Sequence, residues 1–178
     1  MSLANKLTFL RIVLCPFFVL FLFLPSWTAK AIAFFIFIGA CLSDLLDGYF
    51  ARRRGEVTSI GKIIDPAADK VLAYSAFICF VQLQLVPFWM VIILMGRDFL
   101  VMALRVEAAR KDMIISASKL AKLKTAFEYG VIVFILLALL NFKLWKPEMM
   151  IFILMAAATL LSLISGLQYW LSYRRYLP

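Results

Sequence analysis

Four aspartates stand in two pairs within strongly apolar parts of the sequence. Asp44 and Asp47 are three residues apart, and Asp65 and Asp69 are four apart, so each pair lies on one face if its segment is helical. Carboxylates clustered at the edge of an apolar environment repel one another and resist desolvation, so bound cations must hold them together. Ligation by oxygen alone favours Mg²⁺, Mn²⁺ or Ca²⁺ over zinc. Several carboxylates in one pocket have room for two ions, which suits phosphoryl-type displacement.

The overall composition narrows the chemistry further. The 178 residues are 65% hydrophobic, include no histidine and carry a formal charge of +9. A catalytic triad that uses histidine, a histidine-ligated zinc site and a histidine general base are therefore excluded. Cys15, Cys41 and Cys79 lie inside apolar runs without C-x-x-C spacing, which predicts packed thiols and no disulfide framework.

The elements that must position the aspartates are long apolar helices. A helix needs about 20 apolar residues to cross the hydrocarbon core, because it rises only about 1.5 Å per residue. Six segments approach or reach this length, at about residues 7–24, 31–50, 60–83, 86–106, 120–140 and 149–169. These continuous runs lack the period-two alternation of barrel strands. The sequence thus predicts an all-α integral membrane protein with six transmembrane helices, as a single domain over residues 1–178.

The distribution of positive charge predicts the orientation of these helices. With the N-terminus inside, most Lys and Arg residues fall on the cytoplasmic side, and the opposite side holds Lys30, Lys143 and Lys146. Positive residues are enriched in cytoplasmic loops, so both termini are expected in the cytoplasm. No persuasive cleavage site follows the first apolar run, so that helix is expected to stay in the mature protein. The lipid bilayer is the expected surrounding, and no nucleic-acid partner is expected.

The residues between the aspartates are suited to binding phosphate. Gly48, Ala51 and Gly61 place almost no side chain beside the acids, which allows a ligand to approach the backbone closely. Arg52 can pair bidentately with a phosphate. Residues 44–69 match, without a gap, the pattern D-x-x-D-G-x-x-A-R-x(8)-G-x(3)-D-x(3)-D. This stretch resembles the signature of the CDP-alcohol phosphatidyltransferase family.

The resemblance implies a reaction and roles for the signature residues. Members of that family transfer the phosphatidyl group of CDP-diacylglycerol to an alcohol and release CMP, with the help of divalent metal. Two ions, Mg²⁺ or Mn²⁺, would be held by Asp44, Asp47, Asp65 and Asp69. Asp69 would also act as the catalytic base that takes the proton of the attacking hydroxyl. The CDP pocket would be lined by Gly48, Ala51, Arg52 and Gly61. The resemblance also suggests a homodimer.

Further segments resemble bacterial members of the family that use sn-glycerol 3-phosphate as the alcohol. These segments are residues 5–11, 65–70, 96–98, 103–105 and 118–125. The resemblance implies a bacterial cytoplasmic membrane protein with its active site facing the cytoplasm. A basic cluster could bind the phosphate of the acceptor, and it consists of Arg105, Arg110, Lys119, Lys122 and Lys124. A positive-inside loop without a substrate role would look similar.

Other interpretations are open at the level of sequence. Within the family, the acceptor could instead be inositol phosphate, serine or phosphatidylglycerol. A cation transporter also uses intramembrane aspartates, but near mid-bilayer and in discontinuous helices, whereas these four lie at one edge. A purely structural membrane protein would not need the acids. Arg97 and Asp98 could neutralise each other within the bundle, or they could contact the substrate. Asp98 could also orient Arg105, which lies seven residues further along.

Overall fold

Six α-helices form the regular structure of those residues of this chain that a computed structural model describes. The structure describes the backbone of residues 3–54, 61–110, 118–140 and 146–174, and the side chains of residues 10–43, 70–108, 118–140, 146–172 and 174. The helices, α1 to α6, are Leu3–Phe23, Trp27–Arg54, Gly61–Gln82, Phe88–Arg110, Lys119–Leu139 and Pro147–Arg174. The predicted all-α class is confirmed, and each of the six predicted segments falls on one helix.

Several helices are longer than the apolar runs that predict them. α2 continues to Arg54, α4 to Arg110 and α6 to Arg174. Hydropathy marks only the apolar part of a helix, whereas arginine is a good helix former and lets the backbone hydrogen bonding continue. The two signature aspartates of α2 therefore lie inside a continuous helix.

The described residues include one helix of membrane-spanning length and composition, which is α6. Its segment Pro147–Ser172 covers 26 residues. Shorter apolar helical stretches lie at Leu10–Phe23, Trp27–Ser43 and Lys70–Gln82. Six membrane crossings with both termini in the cytoplasm therefore stay a prediction.

The turn after α3 shows how local backbone bonding ends a helix. The N–H of Gln84 donates to the carbonyl of Val81 at 2.9 Å. The N–H of Leu85 donates to the carbonyl of Phe80, also at 2.9 Å. Gln84 adopts a φ of 59°, the left-handed conformation that this Schellman arrangement requires and that usually favours glycine. Pro87 follows and cannot continue the helix.

The contacts between helices divide the chain into two compact units. One comprises residues 1–79 and 133–144, and the other comprises residues 80–132 and 145–178. In the first unit α1 packs against α2, and in the second unit α4 packs against α6. The signature aspartates belong to the first unit and the basic cluster belongs to the second. A single domain over the whole chain stays a prediction.

The core of the first unit combines large side chains of α1 with a mostly small stripe on α2. Phe18 and Leu22 of α1 are almost completely buried, as are Ala33, Phe37 and Ala40 of α2. The ring centroids of Phe18 and Phe37 lie 5.9 Å apart. The three α2 residues recur at helical spacing and so share one face. Small residues on such a face let two helices approach closely, as in membrane helix pairs.

The outer surface of the described helices carries large apolar side chains. Phe35 is 69% exposed, Leu100 67% and Phe88 64%. Water disfavours so much exposed apolar surface, whereas lipid tails accept it. This distribution is what a helix bundle in a bilayer requires.

Cys15, Cys41 and Cys79 are thiols that form no disulfide, and Cys15 and Cys79 are buried. The thiol of Cys15 donates to Ser75 Oγ at 3.0 Å. This bond joins α1 to α3 within the first unit.

Ala33→Leu should destabilise the protein by about 1–3 kcal/mol, because the fully buried α2 stripe has no room for a larger side chain. Thermal unfolding in detergent micelles, followed by circular dichroism, measures the loss. Ile32→Leu is the matched control, since Ile32 is 43% exposed and should tolerate the change. Equal midpoints for the two variants would contradict the close α1–α2 contact.

Candidate active site

The second half of α2 places the first part of the signature on one helical face. The backbone is helical through residue 54, and Asp44, Asp47, Gly48 and Ala51 are spaced i, i+3, i+4 and i+7. These positions lie on one side of a helix. Arg52 follows one turn after Gly48. The side chains of all five residues lie outside the described part of the structure.

The first turns of α3 carry the second part of the signature. Gly61 is the first residue of the helix, and Asp65 and Asp69 follow at successive intervals of four. The three positions therefore form one stripe along α3. Their side chains also lie outside the described part of the structure. Directly after the stripe, Lys70 Nζ lies 5.9 Å from the centroid of the Tyr74 ring.

The residues of the predicted basic cluster do not share one environment. Lys119 and Lys122 are exposed on α5, whereas Lys124 is fully buried. A step of two residues turns an α-helix by about 200°, which places Lys122 and Lys124 on opposite sides. Arg105 is exposed on α4. The side chain of Arg110, the last residue of α4, lies outside the described residues.

Lys124 belongs instead to a buried network of four charged groups in the second unit. Its Nζ lies 2.7 Å from an oxygen of Asp98 and 2.5 Å from an oxygen of Glu128. Arg97 Nη1 lies 2.8 Å from the same oxygen of Asp98, which confirms the expected neutralisation of these two neighbours. The four side chains are at most 10% exposed. Two positive and two negative charges balance, as burial requires.

Contacts from α6 complete this region, and sequence reasoning missed them. Arg97 Nη2 donates to Ser165 Oγ, and a Cβ added at Gly166 would lie 3.0 Å from Arg97 Cγ. Arg105 donates from Nε to the hydroxyl of Tyr169 at 3.2 Å, so the partner that the structure describes for Arg105 is not Asp98. Besides the adjacent Arg97 and Asp98, the i, i+4 spacing of Lys124 and Glu128 was a further signal in the sequence that could have indicated part of the network.

A sequence model of the family described as CDP-alcohol phosphatidyltransferase matches residues 1–170. The chain belongs to this family. A CDP-diacylglycerol–glycerol-3-phosphate 3-phosphatidyltransferase of Bacillus subtilis (strain 168) is 37% identical over 80% of this chain and 80% of its own length. A probable phosphatidylglycerophosphate synthase of Mycobacterium tuberculosis is 37% identical over 94% of this chain and 79% of its own length. A CDP-diacylglycerol–glycerol-3-phosphate 3-phosphatidyltransferase of Rickettsia typhi is 30% identical over 98% of both chains.

The CDP-alcohol phosphatidyltransferases are metal-dependent and membrane-associated, and the signature suits a hard divalent cation. Helical stripes on α2 and α3 carry the four aspartates, and residues 44–69 contain neither histidine nor cysteine, so the ligands that this stretch offers are oxygens. Among the side chains that the structure describes, no three His, Cys, Asp or Glu residues come together as a metal site. The side chains of the signature aspartates lie outside those residues.

Lys124→Met should destabilise the protein by about 3–5 kcal/mol, because it removes the buried cation that lies between the carboxylates of Asp98 and Glu128. Lys122→Met is the matched control on the exposed side of α5 and should change stability by no more than about 0.5 kcal/mol. Thermal unfolding in micelles compares the two variants.

A second substitution tests the cause of that loss. Glu128→Gln added to Lys124→Met removes one of the two buried carboxylate charges that Lys124 meets and should restore part of the stability. A double variant no more stable than Lys124→Met would contradict the assigned ion pair.

Proposed function

We propose that this chain transfers the phosphatidyl group of CDP-diacylglycerol to sn-glycerol 3-phosphate, giving phosphatidylglycerophosphate and CMP. The observation that carries the proposal is the complete signature, which spans residues 44–69 without a gap and lies on two helices. Relatives named for this reaction match 80% and 98% of the chain, which supports the same choice of substrates.

The reaction exchanges one phosphorus–oxygen bond for another. A hydroxyl oxygen of the acceptor attacks the phosphorus that bears the diacylglycerol group. The bond from that phosphorus to the CMP phosphate breaks, and CMP leaves with the electron pair. The proton of the hydroxyl goes to Asp69, the proposed general base. Because a carboxylate is a weak base for an alcohol, positioning and charge stabilisation must supply most of the acceleration.

The remaining signature residues bind and neutralise the donor in this proposal. Asp44, Asp47 and Asp65, together with Asp69, would hold two ions, Mg²⁺ or Mn²⁺, and bound metal would offset the negative charge of the pyrophosphate. The nucleotide pocket would be lined by Gly48, Ala51, Arg52 and Gly61. The small residues let the phosphates approach the helix backbone, and Arg52 pairs with a phosphate oxygen.

The exposed basic residues are the proposed ligands of the acceptor phosphate. Arg105, Lys119 and Lys122 are all exposed in the second unit, and Arg110 at the end of α4 completes the set. Lys124 already meets two buried carboxylates, so its proposed role is to hold α5 in place. An oxygen-rich dianion from the cytosol suits the three described cations, because guanidinium and ammonium groups both bind phosphate.

We also propose that all six helices cross the bacterial cytoplasmic membrane, with both termini and the active site on the cytoplasmic side and with two copies forming a homodimer. The exposed apolar side chains of α2 and α4, such as Phe35 and Leu100, would contact lipid. The diacyl tails of the donor would then stay in the bilayer while the headgroup reaches the aspartates.

The purified protein in detergent–lipid micelles should release CMP from labelled CDP-diacylglycerol when a divalent ion and sn-glycerol 3-phosphate are both present. EDTA should abolish this release, and added Mg²⁺ or Mn²⁺ should restore it. The same assay includes three alternative acceptors as competitors, which are inositol phosphate, serine and phosphatidylglycerol. Preference for one of these, or no release with any divalent ion, would overturn the proposal.

Asp69→Asn should lower the turnover rate by about 10²-fold or more, because an amide cannot take the proton of the attacking hydroxyl. Binding of CDP-diacylglycerol should stay largely intact, which equilibrium binding of the labelled lipid measures. Asp44→Asn is the comparison variant, since loss of a metal ligand should weaken donor binding as well. Lost binding with residual metal-stimulated turnover in Asp69→Asn would instead make Asp69 mainly a ligand.

A further inference from the structure

Tyr169 of α6 occupies a buried contact between α6, α4 and α5. It is 3% exposed and packs in one cluster with Val101 of α4 and Ala121 of α5. A tyrosine usually finds a hydrogen-bond partner for its hydroxyl when it is buried. The group that meets this hydroxyl comes from an exposed residue of α4.

The guanidinium of Arg105 engages Tyr169 through two of its nitrogens. Nε donates to the Tyr169 hydroxyl at 3.2 Å, and Nη2 donates to the same oxygen. Arg105 Cζ also lies 5.1 Å from the centroid of the Tyr169 ring, within the range of a cation–π interaction. The hydroxyl and the ring face therefore both hold the guanidinium.

The position of Tyr169 is itself fixed by the buried charges described above. Arg97 Cζ lies 5.9 Å from the same ring, and Arg97 also binds Ser165, one turn earlier on α6. The contacts of Arg97 with Ser165 and of Arg105 with Tyr169 both join α4 to α6. Gly166 allows α6 to approach Arg97 closely, since a Cβ there would lie 3.0 Å from Arg97 Cγ. Tyr169 is thus a rigid support.

The contact between Tyr169 and Arg105 matters because it restricts the arginine side chain before a ligand binds. An unrestrained arginine side chain loses about 2 kcal/mol of rotamer freedom when it is fixed against a ligand. A planar guanidinium binds phosphate best when its fork already points at the oxygens. Bonds from Nε and Nη2 to Tyr169 fix the plane of the fork on an otherwise exposed side chain. Lys119 and Lys122, which are also exposed, offer a less directional charge.

We infer that Tyr169 is a positioning residue that orients Arg105 toward the phosphate of the acceptor alcohol. The inference rests on the proposed function, because it takes the acceptor to be a phosphorylated alcohol. It assigns to the last helix, which carries none of the signature residues, a role in acceptor affinity. Tyr169 itself does not contact the reacting atoms in this account.

Tyr169→Phe keeps the ring and removes only the hydroxyl. Steady-state kinetics in micelles should show a KM for sn-glycerol 3-phosphate raised by roughly tenfold, as expected for the loss of a hydrogen bond to a charged group. The KM for CDP-diacylglycerol should change by less than about twofold, because a merely structural defect would affect both substrates. Circular dichroism and the thermal midpoint of each variant verify folding.

A double-mutant cycle tests whether Tyr169 acts through Arg105. Arg105→Ala should raise the acceptor KM at least as much as Tyr169→Phe, and the double variant should be no worse than Arg105→Ala alone. Ser172→Ala is the matched control, because the Ser172 hydroxyl lies three residues further along α6 and donates only to the nearby Gln168 carbonyl. It should leave both KM values unchanged.

Three results would overturn the inference while the proposed function stands. The first is an acceptor KM of Tyr169→Phe equal to that of the wild-type protein, and the second is an equal rise in both KM values. The third is an additive rise of the acceptor KM in the double variant. Failure of the wild-type protein to use sn-glycerol 3-phosphate would instead remove the proposed function, so the two failures are distinguishable.

Discussion

Charge placed in apolar surroundings must be compensated, and this constraint organises the chain. In the second unit the protein supplies its own compensation, since Lys124 lies between Asp98 and Glu128 and Arg97 meets Asp98. Such a network adds little net stability, but removal of one partner exposes the full cost of a buried charge. The geometry of α4, α5 and α6 is therefore linked to these four groups. Because its charges balance, the network can stay buried and hold these helices together.

The signature aspartates must also have their charge compensated, but in another way. Residues 44–69 contain four aspartates on two helical stripes, and the helices that carry them are otherwise strongly apolar. Carboxylates that gather at such an edge are stable when cations bind them. In the proposed function those cations would also serve catalysis, because they would offset the charge of the pyrophosphate. One physical demand thus connects the stability of this region with its chemistry.

The sequence predicted the helices well and the contacts between them poorly. Long apolar runs indicate six helices without ambiguity, and the spacing of the signature indicates which positions of α2 and α3 share a face. A continuously apolar helix, however, has no polar side that would distinguish its buried face. The burial of Ala33 and the exposure of Phe35 on the same helix follow from packing with α1. Tyr169 was missed for a different reason, because its partner Arg105 is 64 residues away in the sequence and no local spacing indicates such a contact.

The basic segment of α5 illustrates how far composition can mislead. Lys119, Lys122 and Lys124 count equally in a positive-inside argument, which depends only on the number of charges near the membrane. The helix places Lys122 and Lys124 about 200° apart, so one faces outward and the other is fully buried. One short run of lysines can therefore serve orientation in the membrane, binding of an anionic substrate and internal charge balance. Which of these roles a given lysine has depends on the helix face on which it lies.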